Sequence, residues 1–297
     1  MIARPFEPGD DDAVVALFAR LRADEPSMDP MDLERWRAFR SFSIFADGRD
    51  FRVVPTEGGV GALLTVGKLE PRGKAPWRVR VYVDPPMRRR GIASRLLRGC
   101  EEAARAEGAP SFEGFIQGSW VAGRAFAEAR GFSLLVRDLF LSRGLEPFDA
   151  AAPRGVILRA WVPGADDEAW AAVANATLAR DVGFHPETPA SLVGYARSPG
   201  FFLWVAESEG ELVGFCHVDR RGDVGYVQAI GVLASHEGRG VGAALLSRGI
   251  GTLRGSGVAR IELCTEENNA RAQRLYARAG FTLHHDGLSL RKALGLG

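Results

Sequence analysis

The 297 residues carry 38 Lys and Arg against 37 Asp and Glu, a formal net charge of +1, with 46% hydrophobic and 25% charged residues. That near-balance argues against nucleic acid as a partner, and no apolar run approaches the roughly 18 residues of a membrane span. Three cysteines, Cys100, Cys216 and Cys264, are too few and too scattered for a disulfide framework or a zinc site, and Met1 to Asp12 lacks a secretory pattern, so the expectation is a cytoplasmic globular chain without metal.

In chain order, a short strand is predicted near Ile2 to Phe6, then a helix over Asp11 to Ala23 burying Val14, Val15, Leu17, Phe18 and Leu21. A second helix is expected around Met31 to Phe42, and a hairpin from Phe51 to Val54 and Val60 to Val66 around Gly58-Gly59. Val79, Val81 and Val83 alternate with Arg80 and Tyr82 in a strand ending at Asp84-Pro85-Pro86. The loop Arg88 to Ala93 opens a helix with Ile92, Leu96, Cys100 and Ala103 on one face. Phe112 to Ile116 reads as a strand, Ser119 to Arg130 as a helix, and Phe132 to Leu141 as a closing strand or hairpin.

Residues 146–154, rich in Ala and Pro, show no periodicity and read as a linker. A second series follows: a strand at Val156 to Trp161, a helix at Asp166 to Arg180, an irregular segment from Asp181 to Gly200, and strands at Phe201 to Ala206 and Leu212 to Val218. Val224 to Val232 is a strand running into a glycine loop. Ile261 to Cys264 is a strand, Asn268 to Ala279 a helix, and Asp286-Gly287 a hairpin turn. Gly91 and Gly240 stand at the same offset as Gly131-Phe132 and Gly280-Phe281, so the chain carries one fold twice.

The second loop, Glu237-Gly238-Arg239-Gly240-Val241-Gly242-Ala243, lies between a strand and a helix start. Its glycines permit positive φ and leave backbone N–H groups bare at the positive end of a helix dipole, which suits phosphate. The spacing is neither a dinucleotide fingerprint nor a Walker loop. It resembles the acetyl-CoA pyrophosphate loop of the GNAT superfamily of N-acyltransferases, Gln/Arg-x-x-Gly-x-Gly/Ala. The run from Asn269 through Ala272, Leu275 and Tyr276 to Gly280-Phe281 also resembles that family's last helix. The tandem arrangement is similar to that of the mycothiol synthase family.

The resemblance implies an α/β (α+β) chain of two tandem GNAT-like domains, residues 1–145 and 155–297, each a mixed, mostly antiparallel, splayed sheet flanked by about four helices. It implies acetyl-CoA as acyl donor, gripped by residues 237–243, by the backbone of Ile230, Gly231 and Val232, and by Asn269 and Ala272. In the first copy the matching residues are Val81, Tyr82, Val83, Arg88, Arg89, Arg90, Gly91, Ile92 and Ala93. Tyr276 would be the general acid toward the leaving thiolate. The first copy has Ala127 and Trp120 where Tyr276 and Asn269 stand, and so lacks the acid. Glu237 departs from the family's Gln or Arg by placing a carboxylate at the phosphate loop.

An amine acceptor also needs a base. Tyr226 and Gln228 occupy the strand positions where the family often carries Glu, which leaves Glu262, Asp223, His217 or a water chain, with Glu262 taken forward. His185, Glu187 and Tyr226 are the expected substrate contacts. The expected activity is acetyl transfer to the primary amine of a small molecule, by a monomer or weak homodimer. Two alternatives stand beside it: acylation of a protein N-terminus or lysine, and an acyl-CoA-binding sensor without chemistry.

Overall fold

The computed structural model describes residues 2–26, 28, 30–40, 50–68, 75–182, 184, 186–196 and 200–295. The chain forms two compact units, residues 1–137 with 287–297, and residues 138–286. In order, the elements are β1 (Arg4–Pro5), α1 (Asp11–Asp24), α2 (Leu33–Arg40), β2 (Phe51–Thr56), β3 (Gly59–Lys68), β4 (Trp77–Val83), α3 (Ile92–Ala106), β5 (Ser111–Gln117), α4 (Val121–Glu128) and β6 (Ser133–Arg143). Then come β7 (Val156–Ala160), α5 (Asp167–Leu178), α6 (Pro189–Tyr195), β8 (Phe201–Ser208), β9 (Glu211–Arg221), β10 (Val224–Val232), α7 (Val241–Gly255), β11 (Arg260–Glu266), α8 (Ala270–Arg278) and β12 (Thr282–Ala293).

Each unit builds a mixed sheet with one parallel pair. In the first, the order β1-β2-β3-β4-β5-β12 is antiparallel except for β4 beside β5. In the second, β7-β8-β9-β10-β11-β6 repeats that pattern, with β10 parallel to β11. The last strand of each unit comes from elsewhere in the chain. Residues 138–143 of β6 pair with β11, and residues 287–293 of β12 pair with β5.

This exchange changes two expectations. Asp286-Gly287 is no hairpin turn, because β12 runs straight through it. From Gly287 onward the strand finds β5 as partner, and Leu288 and Leu290 bury against Ala127 of α4. The compact units also differ from the expected division at 145 and 155, since the closing strands are traded. Residues 146–154 form no regular element, yet they are pinned to α7: the Ser247 hydroxyl donates to the Phe148 carbonyl at 2.7 Å and accepts from the Ala150 N–H at 3.3 Å. Within the segment expected to be irregular, Pro189–Tyr195 is helical. The second predicted helix ends at Arg40, and its last residues lie outside the described ones.

The amphipathic patterns explain the layers. In the second unit, Val241, Leu245, Leu246, Ile250 and Leu253 of α7 pack on Cys216, Val218 and Val227. On the opposite face, Trp170, Val173 and Ala174 of α5 meet Leu203, Val205 and Phe215. The shared Gly-Phe pairs are helix caps. Gly131 and Gly280 take φ of 83° and 82°, and the following Phe N–H returns to the carbonyls of Ala127 and Tyr276, both at 3.0 Å.

Gly231 has a packing role that its place in the cofactor stretch conceals. A Cβ there would come 2.2 Å from Thr177 Oγ1 and 2.6 Å from the Phe215 ring. Thr177 cannot swing away freely, because its hydroxyl donates to the Val173 carbonyl at 2.8 Å. Gly231→Ala is therefore expected to destabilise the protein by about 1–3 kcal/mol, the usual range for overpacking. A thermal melt checks this, and an unchanged Tm would show that α5 gives way.

Candidate active site

The site starts from a break in the sheet of the second unit. β10 and β11 pair in parallel from Val224–Arg260 to Val227–Leu263 and no further. At the same level the register of β10 against β9 shifts between Val227 and Ala229, a bulge that leaves Gln228 without a partner. Beyond it, Ile230, Gly231 and Val232 line one arm of a V and Cys264 to Glu266 the other. Backbone groups that face each other across such a V have lost a ladder partner and are free for an extended ligand.

The open end of β10 leads to the glycine loop. Gly238 and Gly240 adopt φ of 74° and 94°, and nothing lies within 4 Å of a Cβ built on either. Gly240 is the N-cap of α7, whose first intrahelical bond runs from Ala244 N–H to the Gly240 carbonyl at 3.0 Å. The N–H groups of Gly240, Val241, Gly242 and Ala243 therefore have no partner inside the helix. Four bare donors at the positive end of a helix dipole, with open space above them, fit a diphosphate.

Glu237 does not oppose an anion there unaided. Its carboxylate is ion-paired with Arg271 of α8, and with Arg180, just past α5, at 3.6 Å. The first unit has the same staple with the charges reversed. Arg88 stands in the place of Glu237 and donates to Asp24, the last residue of α1, at 2.6 Å, and its guanidinium also lies 5.9 Å from the Trp120 ring. In both units this loop is tied to the end of the unit's first long helix, and the sequence showed only the loop half of the tie.

The helix from Asn269 closes the V. Asn269 caps α8, accepting the Ala272 N–H on its side-chain oxygen at 3.1 Å, so that oxygen is committed to the helix. Gln273 reaches back to the carbonyls of Glu266 and Glu267 at 3.1 and 2.8 Å, fixing α8 to the end of β11. Tyr276 is only 6% exposed, and its ring meets Phe281 edge-on at 5.9 Å. Burial, reinforced by Cys216, Asp181 and Cys264, holds its pKa well above the usual phenol value. The ring packs in the core cluster of the second unit with Val241, Leu245 and Phe281.

Asp181, unnoticed in the sequence, lies close enough to Tyr276 to help hold its phenol protonated. The residue as a whole is exposed, but its carboxyl is crowded by protein and by Glu266, which lifts its pKa to about 6. Glu266 in turn accepts the Val182 N–H at 2.6 Å. Burial pushes the thiols of Cys216 and Cys264 up to about 12, so both stay protonated and are poor nucleophiles.

The remaining expected residues divide. Glu262 lies beside Tyr226 in the parallel register, and its carboxylate accepts Arg260 Nε at 2.6 Å. The Tyr226 ring lies under Arg221 at 4.5 Å. Glu187 is held by two backbone bonds to the Asn175 amide, and its carboxylate accepts the Tyr195 hydroxyl at 3.2 Å, so both belong to the cover formed by α5 and α6. His185 lies outside the described residues. In the first unit, Arg89 takes φ of 63° beside Gly91 at 73°, the N-cap of α3, which Arg90, Ile92 and Ala93 flank. Val81, Tyr82 and Val83 continue β4 past its last pairing with β5 at Arg78–Glu113, and Ala127 is buried where the second unit has a phenol.

Comparison with known proteins places this geometry. The sequence model described as "Acetyltransferase (GNAT) family" matches residues 17–132 and again 170–281. The chain is 34% identical over 294 residues to a mycothiol acetyltransferase of Kineococcus radiotolerans, covering 93% of this chain and 91% of that one. It is 37% identical over 226 residues to one from Sanguibacter keddieii, covering 68% and 70%. Among solved structures, a GCN5-related N-acetyltransferase from Sphaerobacter thermophilus superposes with a TM-score of 0.81 at 25% identity, over 99% of this chain and 95% of that one. A tandem GNAT protein from the clavulanic acid biosynthesis pathway shares the fold, with a TM-score of 0.78 at 20% identity over 99% and 98%.

Proposed function

Because the chain belongs to the acetyltransferase (GNAT) family, we propose that its second unit moves acetyl from acetyl-CoA to the primary amine of a small molecule. It is an acyltransferase with two GNAT domains. The observation that carries the assignment of the second unit is the V between β10 and β11 opening toward the bare N-terminus of α7, with Tyr276 of α8 packed in the same cluster as Val241 at the start of α7.

The residues act in sequence along this groove. The N–H groups of Gly240 to Ala243 hold the diphosphate, with Arg239, Arg271 and Arg180 supplying positive charge around Glu237. The backbone of Ile230 to Val232 aligns the thioester-bearing arm, and Ala272 lines the helix above it. Asn269 acts by capping α8. Tyr276, protonated at any working pH, donates toward the sulfur as it leaves. Glu187 and Tyr226, with His185, belong to the acceptor side. Glu262 is tied up by Arg260, which weakens it as a base.

In the first unit, Arg88 to Ala93 form a phosphate-binding loop without an acid behind it, so chemistry is assigned to one unit alone. The three cysteines are free, which suits a reducing cytoplasmic setting, and the chain is read as a monomer or weak homodimer. Among the described residues no helix is long and apolar enough to cross a membrane.

Release of free thiol from acetyl-CoA tests the assignment, with a panel of small amines set against peptides that offer an N-terminus or lysine. Turnover is expected only with small amines. Turnover confined to peptides would move the acceptor class, and tight CoA binding without turnover on any acceptor would make the chain a sensor.

A further inference from the structure

The strand that carries a catalytic Glu in many relatives of this fold has none here, since Tyr226 and Gln228 fill those positions. The neighbouring strand supplies what is missing. Asp219 of β9 lies opposite Tyr226 in the register and accepts Gln228 Nε2 at 2.8 Å. His217 Nε2 faces the other oxygen of the same carboxylate at 3.1 Å. His217 itself stands opposite Ala229, at the level of the bulge and one residue from the mouth of the V.

Strand alternation separates this cluster from the acid. Cys216 and Val218 face α7 and pack in the cluster that contains Tyr276, so His217 and Asp219 face the α5 and α6 side. There the His217 ring lies 4.6 Å from Phe201, which in turn meets Trp161 and Trp170. Among the described residues, the ionisable groups beside the pair on this face are Arg221 on the same strand, 3.9 Å from Asp219, Tyr226 on β10, and beyond Tyr226 in the parallel register Glu262 of β11 with its partner Arg260. β8 presents apolar Leu203 and Phe201 to this register. Both side chains are largely buried, at 11% and 13% exposure, yet Nδ1 of His217 is not among the sealed, unpartnered atoms.

We propose that His217, oriented by Asp219, is the general base of the second unit, accepting the proton of the attacking amine. This deepens the acetyl-transfer reading and rests on it. Asp219 accepts the Nε2 proton and so leaves the lone pair on Nδ1 for the amine. The amine nitrogen forms a bond to the thioester carbon, and its surplus proton passes to Nδ1. The carbon–sulfur bond breaks, and the sulfur takes a proton from the Tyr276 side. Base and donor thus work from opposite faces of the sheet through the gap between its strands.

Two readouts decide the matter. In the whole protein labelled with 15N-histidine, the neutral His217 ring, identified by its loss in His217→Gln, is expected to be the Nε2–H tautomer with Nδ1 unprotonated. Asp219→Asn should weaken that preference, because it removes the carboxylate facing Nε2. In kinetics at saturating acetyl-CoA, His217→Gln should lower kcat/KM for the amine by about 10²-fold and abolish the acidic limb of its pH profile. CoA binding by calorimetry should not change. Asp219→Asn, which preserves shape, should lose less and shift the limb toward lower pH, and it serves if His217→Gln proves unstable.

A His217 ring that carries its proton on Nδ1 overturns the assignment whatever the turnover. So does a folded His217→Gln that keeps its rate and acidic limb. A wild-type protein that turns over no amine would instead sink the acetyl-transfer reading, and the tautomer of the ring would still stand or fall by itself.

Discussion

Gly240→Val is expected to raise the acetyl-CoA Kd and KM by about 10²-fold. Hydrogen bonds to a charged group contribute about 1.5–3 kcal/mol each, and losing one or two of them corresponds to that factor. Two physical effects act together. At φ of 94° a β-branched residue is strained, so the chain relaxes by rotating the very peptide that aims the N–H groups of α7. In addition, the space above Gly240 is open, with nothing within 4 Å of an added Cβ, so the new side chain stands where the diphosphate would lie. Calorimetry with CoA and initial rates against acetyl-CoA check the effect. The fold should tolerate the change, because the strain sits in a loop and the valine meets no core atom. Gly91→Val makes the internal contrast. It disables the equivalent N-cap of α3, and turnover should stay within about twofold if chemistry belongs to the second unit alone. Equal losses from both substitutions would overturn that division of labour.

What the sequence disclosed follows from which forces are local. The duplicated fold was legible because Gly131 and Gly280 are helix caps and Gly91 and Gly240 are helix starts, and both requirements are set by a single residue's φ. The amphipathic stripes of α1, α3 and α7 were legible for the same reason. The strand exchange was hidden, because nothing in Asp286-Gly287 distinguishes a turn from a strand that continues toward β5. Partner choice is a long-range matter decided by Leu288 and Leu290 meeting Ala127. The role of Glu237 was hidden in the same way. Read alone it is a misplaced carboxylate, and only the fold brings Arg271 and Arg180 to it, as it brings Asp24 to Arg88. Asn269 was legible as part of the motif, but its capping of α8 was not. Asp181 and Asp219 carry no motif, and their importance comes from what they face.

Tyr276→Phe should lower kcat by about 10²-fold, the scale of one positioned acid, with little change in amine KM or in Tm. The substitution removes one oxygen and keeps the ring that meets Phe281 at 5.9 Å. A Tyr that served only as packing would therefore lose nothing measurable in rate, and this is what makes the variant decisive. Burial holds the phenol protonated, so the donor is present throughout the working range and its loss should not tilt the pH profile. The leaving group supplies an independent check. A thiol as basic as that of CoA departs with substantial negative charge on sulfur and gains from a nearby hydroxyl. The acetyl thioester of a more acidic thiol departs with less need of help, and with it the gap between wild type and Tyr276→Phe should shrink to a few-fold. A gap that stays constant across leaving groups would mean that the hydroxyl aligns the groove and gives no proton to the sulfur.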